Sequence, residues 1–222
     1  MTVDAPAIVE TEDTLSAAMK KGSAVEHEQA EGSTFMSALL DGRMSAAGYV
    51  AYLRRLRPVY AALESTATAL AGDPIASKVI DPALSRLATI DADLAHWAPD
   101  DIEDADDSPA ADEYAARITT SAAWPGAFVA HHYTRYLGDL SGGQAIGRIL
   151  DRDFELDGAG IAFYDFSEVG KVKPYKDAYR AHLDEIGATL TADERARLVD
   201  EVKVAFRLNQ ALFAELSRLF PA

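Results

Sequence analysis

Hydrophobic residues recur along this chain with the spacing of helices, and the alternation typical of strands is rare. The pattern predicts helices over residues 12–31, 45–71, 81–97, 109–122, 125–151, 174–187 and 192–219. No internal repeat and no low-complexity segment interrupts it. We therefore expect one all-α domain over residues 11–222, preceded by a disordered stretch over residues 1–10.

Local signals mark the ends of several predicted helices. Asp81 followed by Pro82 suits an N-cap and a first helical position. Thr191 and Glu194 form a capping-box pair before the last helix. Pro58 lies inside the second predicted helix, where it is expected to cause a kink.

Two connections between helices have contrasting compositions. The acidic run DDIEDADDSP over residues 100–109 is expected to be a solvated loop. Residues 153–174 form the longest irregular connection, and its aromatic side chains indicate that it packs against the body of the domain.

Composition excludes several classes of function. The 222-residue chain has a formal net charge of -15, which argues against non-specific binding to nucleic acid or to an anionic membrane. It contains no cysteine, which excludes disulfides, thiolate metal sites and cysteine nucleophiles. The first residues lack the pattern of a signal peptide, and no apolar run reaches the length of about 18 residues that a membrane span needs. We expect a cytoplasmic protein.

Residues 135–150, RYLGDLSGGQAIGRIL, hold four glycines in a predicted helix, at positions 138, 142, 143 and 147. Each interior glycine costs a helix about 1 kcal/mol relative to alanine, so this density calls for a reason. The LSGGQ pentapeptide matches the signature of ATP-binding-cassette ATPases. Nucleotide binding is nevertheless disfavoured, because no G-x-x-x-x-G-K-[ST] loop accompanies it.

Two other interpretations of these glycines stay open. Small residues let a second helix approach closely, which is a purely structural explanation. Alternatively, at 100° per residue, Gly138, Gly142 and Gly143 clear an arc of about 140° that contains Asp139. A flat ligand with a polar reaction at its centre would use such a face, whereas a packed helix has little use for a carboxylate there. Gly147 falls outside this account, and we expect it to serve helix packing.

Because the chain has no cysteine, histidine is the leading candidate to bind a metal at the centre of such a ligand. The candidates are His27, His96, His131, His132 and His182. His27 stands out, because Lys20 and Glu31 would share its helix face within about 40°. A ligating histidine usually donates its other ring N–H to a carboxylate or carbonyl, and Glu31 is spaced to accept it. The other four histidines are expected to pack inside the protein or lie on its surface.

A second basic pair is formed by Lys176 and Arg180, which are spaced to share a helix face. Lys20 and this pair could meet carboxylates on a ligand. Taken without the other residues, Lys176 and Arg180 are better explained as ordinary solvated charge.

Taken together, HHYTRYLGDLSGGQAIGRIL at residues 131–150 and EHEQAEGSTFMSALL at residues 26–40 resemble the heme oxygenase family in its soluble bacterial form. The similarity extends from about residue 12 to residue 220. It implies a single all-α domain that holds heme b between a proximal and a distal helix. Heme would be both the substrate and the cofactor that activates O2, and the products would be biliverdin, ferrous iron and CO.

The resemblance also implies roles for individual residues. His27 matches the proximal iron ligand, with Glu31 as its partner. The distal-helix glycines that contact heme match Gly138, Gly142 and Gly143, and the distal carboxylate that orders water matches Asp139. The remaining catalytic residues, members of a distal hydrogen-bond network, match Tyr60, Tyr114, Arg135 and Asn209. Propionate-binding positions match Lys20, Tyr133, Lys176 and Arg180, and the aromatic wall matches Phe206 and Phe213.

Further expectations follow from the same resemblance. Cleavage is predicted at the α-meso carbon, with electrons supplied by a ferredoxin or a flavoprotein reductase that docks on basic residues near the heme edge. The protein is expected to be a monomer that binds neither nucleic acid nor membrane. His132 departs from the family pattern, which often has a small residue there. The alternative is a non-enzymatic heme carrier or store, which would have no need of Asp139 among the glycines.

Overall fold

The computed structural model describes residues 13–99 and 107–221, and every regular element in those ranges is helical. The α-helices are α1 (Leu15–Gly22), α2 (Ala24–Glu31), α3 (Thr34–Leu40), α4 (Ala46–Ala69), α5 (Leu87–Trp97), α6 (Pro109–Thr120), α7 (Pro125–His132), α8 (Gln144–Phe154), α9 (Val172–Thr189) and α10 (Ala192–Leu219). Two π-helical turns, Tyr133–Leu137 and Asp139–Gly143, separate α7 from α8. The predicted all-α class is confirmed.

The last helix organises the fold. α10 packs against α1, α2, α3, α4, α6 and α7. Leu198, Val202, Leu212 and Leu216 on this helix are fully buried, and each such side chain contributes roughly 1.5–3 kcal/mol. Thr191 and Glu194 form the predicted capping box, which fixes where α10 begins.

The predicted helix over residues 12–31 is wrong as a single element. It breaks at Ser23, whose backbone φ and ψ are -114° and 14°. The Ser23 hydroxyl donates to the carbonyl of Met19 at 2.8 Å, which satisfies an end group of α1. The short helix α3 is an addition that the sequence pattern did not reveal, and the Ser33 side chain caps its start.

The predicted helix over residues 81–97 is also interrupted. Asp81 caps only a 3-10 turn, Pro82–Leu84, and α5 begins after Arg86. The Arg86 guanidinium donates to the carbonyls of Ala83, Leu84 and Ser85. Glu64 accepts from the backbone N–H groups of Arg86 and Leu87 at 2.6 and 2.8 Å. Two charged side chains thus end one helix and start the next.

Other predicted boundaries lie close to the observed ones. α4 continues through Pro58, and α9 starts two residues before the predicted residue 174. In the irregular connection after α8, Phe163, Tyr164 and Phe166 are buried, so its predicted packing is confirmed. The predictions for residues 1–10 and for most of the acidic run lie outside the described residues.

Within the part of the chain that the structure describes, no helix is both long enough and apolar enough to cross a membrane.

Candidate functional site

A cavity of about 640 Å³ opens between α1, α2, α9, α10 and the π-helical segment, defined as residues 133–143. Its volume lies in the usual range for pockets that bind small molecules. The predicted site residues that line it are Lys20, His27, Glu31, Tyr133, Arg135, Gly138, Asp139, Gly142, Gly143, Arg180, Phe206, Asn209 and Phe213. Tyr60, Tyr114 and Lys176 do not line it.

The π-helical segment changes the geometry expected from the sequence. A π-turn bonds residue i to residue i+5, so it rotates less per residue than an α-helix and is common at functional sites. The arc calculated at 100° per residue is therefore wrong. Gly138, Gly142 and Gly143 nevertheless all line the cavity.

The glycines divide into two groups. A Cβ atom added to Gly138 or Gly142 would meet no heavy atom within 4 Å, so both border open space. A Cβ atom on Gly143 or Gly147 would lie 3.0 Å from an atom of the Tyr164 side chain. The first pair clears the cavity, and the second lets Tyr164 pack against the helix. The packing role expected for Gly147 is confirmed.

Four predicted residues meet in a buried polar network, consisting of Tyr60, Arg135, Asp139 and Asn209. Arg135 donates from Nη2 to Asp139 Oδ1 at 3.2 Å, and from Nη1 to Asn209 Oδ1 at 2.8 Å. The Tyr60 hydroxyl donates to the second Asp139 oxygen and accepts from Arg135. The Tyr114 hydroxyl, by contrast, has no hydrogen-bond partner among the described residues.

Burial dominates the electrostatics of this network. It raises the pKa of the Asp139 carboxyl, although Arg135 and the Tyr60 hydroxyl act in the opposite direction. Burial likewise raises the pKa of Tyr60, which keeps that phenol protonated. Asp139 therefore combines access to the cavity with a proton affinity above that of an ordinary aspartate.

His27 is presented to the cavity by α2. Its Nδ1 atom lies 3.6 Å from Glu31 Oε2, and its side chain is 54% exposed. The imidazole meets the Phe206 ring edge-on, with centroids 5.6 Å apart. Because Nδ1 faces the carboxylate, Nε2 is the ring nitrogen left to bind a metal.

Basic groups gather at one edge of the cavity. Lys20 and Arg180 line it, and Arg180 pairs with Asp177 at 3.0 Å. Lys176 lies just outside the cavity lining, where its Nζ donates to the Ser141 hydroxyl at 3.2 Å. Burial raises the pKa of Tyr133, and the nearby positive charge of Arg180 opposes this.

The remaining histidines are packed or exposed, as expected. His131 Nε2 lies 2.9 Å from Glu201, which also binds Arg117. His132 Nδ1 lies 2.7 Å from the Tyr179 hydroxyl, and burial lowers the pKa of His132 to about 3. His96 and His182 are exposed. Across the described residues, no group of three or more His, Cys, Asp or Glu side chains could hold a metal ion.

Sequence reasoning missed part of the lining. Tyr52 on α4 and Tyr164 on the 3-10 turn Ala162–Tyr164 both border the cavity. The aromatic content of the long connection signalled that Tyr164 packs inward. Nothing in the spacing around Tyr52 distinguished it from the other buried residues of α4.

Comparisons with known proteins identify the family of this chain. The model of the heme oxygenase family matches residues 13–215. Heme oxygenase 1 of Homo sapiens is 35% identical over 210 residues, covering 92% of this chain and 72% of the human protein. Heme oxygenase 1 of Nostoc sp. is 35% identical over 209 residues, covering 91% and 85% of the two chains.

A solved structure gives the same result for the fold. Heme oxygenase-1 from the cyanobacterium Synechocystis, in complex with heme, superposes with a TM-score of 0.87 and 31% identity. The match covers 93% of this chain and 94% of the cyanobacterial one. The chain is therefore an enzyme of the heme oxygenase family.

Proposed function

We propose that this enzyme cleaves heme at the α-meso carbon, using O2 and electrons, to give biliverdin, ferrous iron and CO. The observation that carries the proposal is one cavity that joins a partly exposed histidine to a glycine-lined face with a buried carboxylate network. A heme carrier would need the histidine and the basic edge. A carrier would gain nothing from a buried network of Asp139, Arg135 and Tyr60 beside the glycine-lined face.

The residues present fit heme. Gly138 and Gly142 leave a space that any side chain would fill, as a flat macrocycle lying close to backbone requires. Phe206 and Phe213 supply apolar walls for the ring. Among the residues that the structure describes, His27 is the one histidine that lines this cavity, which suits an iron whose other ligands come from a macrocycle.

The remaining contacts follow the chemistry of the heme edge. Lys20, Tyr133 and Arg180 would bind the propionates, with Lys176 reaching them from beside Ser141. When bound, heme supplies the iron that activates O2 and the carbon that is oxidised. Because the cationic groups gather at one edge, they would fix the in-plane orientation of heme and hence which meso carbon lies below the distal face.

The protein residues control protons and orientation. Glu31 would hold the His27 ring by accepting from Nδ1. Asp139 would bind a water molecule in the cavity and exchange a proton with it, and burial raises its pKa in the direction that favours holding that proton. Arg135, Tyr60 and Asn209 would keep that carboxyl aimed at the cavity.

Electrons would come from a ferredoxin or a flavoprotein reductase. The basic edge formed by Lys20, Lys176 and Arg180 is the surface such an acidic partner would use, since complementary charge speeds association. We propose that the enzyme works as a monomer in the cytoplasm.

A reconstitution experiment tests this function. The purified protein is mixed with hemin and then reduced in air, with absorbance followed through the visible range. We expect loss of the heme bands, a biliverdin product of the α isomer by chromatography, CO trapped by ferrous myoglobin and one ferrous iron per heme. A stable red complex that releases none of these products would instead support a heme carrier.

Two glycine variants separate ligand space from helix packing. Gly142→Ala places a methyl group in open cavity, so heme affinity should fall while the apoprotein gains up to about 1 kcal/mol of stability from helix propensity. Gly147→Ala places the methyl against Tyr164, and overpacking should destabilise the apoprotein by about 1–3 kcal/mol. Urea unfolding and heme titration measure both effects. Equal destabilisation by the two variants would contradict the division.

A further inference from the structure

The helix that carries His27 has little to hold it in place. α2 is eight residues long, and among them only Ala30 is buried. Val25 is 64% exposed. Helices this short are marginally stable on their own, so their position depends on tertiary contacts.

No side chain caps the start of α2, and charge at its C-terminal end is unfavourable. Ser23 precedes the helix, but its hydroxyl is bonded to Met19 in α1 and does not cap α2. Glu28 and Glu31 lie in the second half of the helix, where the helix dipole disfavours negative charge, and no basic residue occupies the last turn. The orientation of α2 must therefore be set by its neighbours.

α10 supplies a directional contact at the residue before His27. The side-chain amide of Gln210 donates from Nε2 to the carbonyl of Glu26 at 2.8 Å, and lies 3.4 Å from Gln29 Oε1. Phe206, one helical turn earlier in α10, packs its ring against His27. One face of α10 thus holds both the backbone and the imidazole of the ligand-bearing segment.

The residue adjacent to Gln210 binds the other wall of the cavity. Asn209 accepts from Arg135 in the buried polar network, at 2.8 Å. Two consecutive amide side chains of α10 therefore reach two different elements, α2 and the π-helical segment. Through these two contacts, α10 helps to set the distance between His27 and Asp139.

We infer that Gln210 is a positioning residue, which fixes the orientation of His27 in the cavity by holding the Glu26 carbonyl. The inference rests on the proposed function of the cavity, because it concerns how His27 meets the heme iron. Gln210 is half-buried, and its side-chain amide bonds to Glu26 and Gln29 on α2. Its replacement should therefore leave the core intact.

Four proteins test the inference: the wild type, Gln210→Leu, Gln210→Lys and Gln29→Ala. The leucine variant keeps the bulk of the side chain without a donor, and the lysine variant restores one. Gln29→Ala removes the secondary contact on the same helix and serves as the matched control. Hydrogen exchange of the α2 amides in the apoprotein is the first measurement, and the iron–histidine vibration of the ferrous heme complex is the second.

We expect Gln210→Leu to speed exchange of the α2 amides by about fivefold, the effect of one hydrogen bond. Its iron–histidine band should shift or broaden, and heme affinity should fall by a similar factor. Gln210→Lys should recover the wild-type band, and Gln29→Ala should retain it. Unchanged exchange and an unchanged band in Gln210→Leu would overturn the inference while leaving the function intact. If wild type shows no histidine band, the proposed ligation fails, and apoprotein exchange still decides whether Gln210 holds α2.

Discussion

Replacing His27 by alanine is expected to abolish heme turnover and to remove the histidine-ligated spectrum of the heme complex. Loss of a partner beside a metal ligand typically costs 10- to 100-fold in affinity or activity, so loss of the ligand itself should cost more than about 100-fold. Because the His27 side chain is 54% exposed, the apoprotein should stay within about 0.5 kcal/mol of wild-type stability. Electron paramagnetic resonance of the ferric complex measures the loss of histidine ligation, and biliverdin yield measures the loss of turnover.

Two control variants show whether the effect belongs to His27 itself. His182→Ala removes an exposed histidine of α9 and should bind and degrade heme like the wild type. Glu31→Gln keeps His27 but weakens the acceptor at Nδ1, so it should keep histidine ligation with a shifted iron–histidine band. An imidazole signature that persists in His27→Ala would mean that another residue binds the iron.

The sequence predicts most helices because hydrophobic spacing is a local property. It fails where a distant side chain decides a boundary. Glu64 on α4 accepts from the backbone N–H groups of Arg86 and Leu87 and so fixes where α5 starts, although it lies more than 20 residues earlier in the chain. The break at Ser23 was missed for a different reason, since Gly22 directly before it disfavours a helix interior and that local signal was overlooked.

The candidate site shows the same division between local and distant information. His27 and Glu31 are four residues apart, so their contact could be predicted from helical spacing. Tyr60 lies 79 residues from Asp139, and the sequence linked them only through resemblance to a family. The sequence indicated that these glycines could face a ligand. It did not indicate that Gly138 and Gly142 border open space while Gly143 contacts Tyr164. That division depends on Tyr164, which reaches Gly143 from the long irregular connection.

Replacing Asp139 should separate heme binding from heme oxidation. Asp139→Ala keeps His27 and the basic edge, so heme affinity should stay within a few-fold of wild type. Biliverdin formation should fall by about 10²- to 10⁴-fold, the usual contribution of a positioned proton-transfer group. Heme titration and single-turnover product analysis measure the two quantities.

Asp139→Ala should also unfold more easily than the wild type. A second variant, Asp139→Asn, separates this loss of stability from the loss of biliverdin formation. Removing the Asp139 carboxylate leaves the buried Arg135 charge with only neutral partners, Tyr60 and Asn209, at a cost of about 3–5 kcal/mol. Asp139→Asn keeps an oxygen that accepts from Arg135, so urea unfolding should show a smaller loss of stability. It cannot exchange a carboxyl proton, so product formation should remain as slow as in the alanine variant. Wild-type yield from Asp139→Asn would show that the network needs a hydrogen-bond acceptor at this position and not an acid.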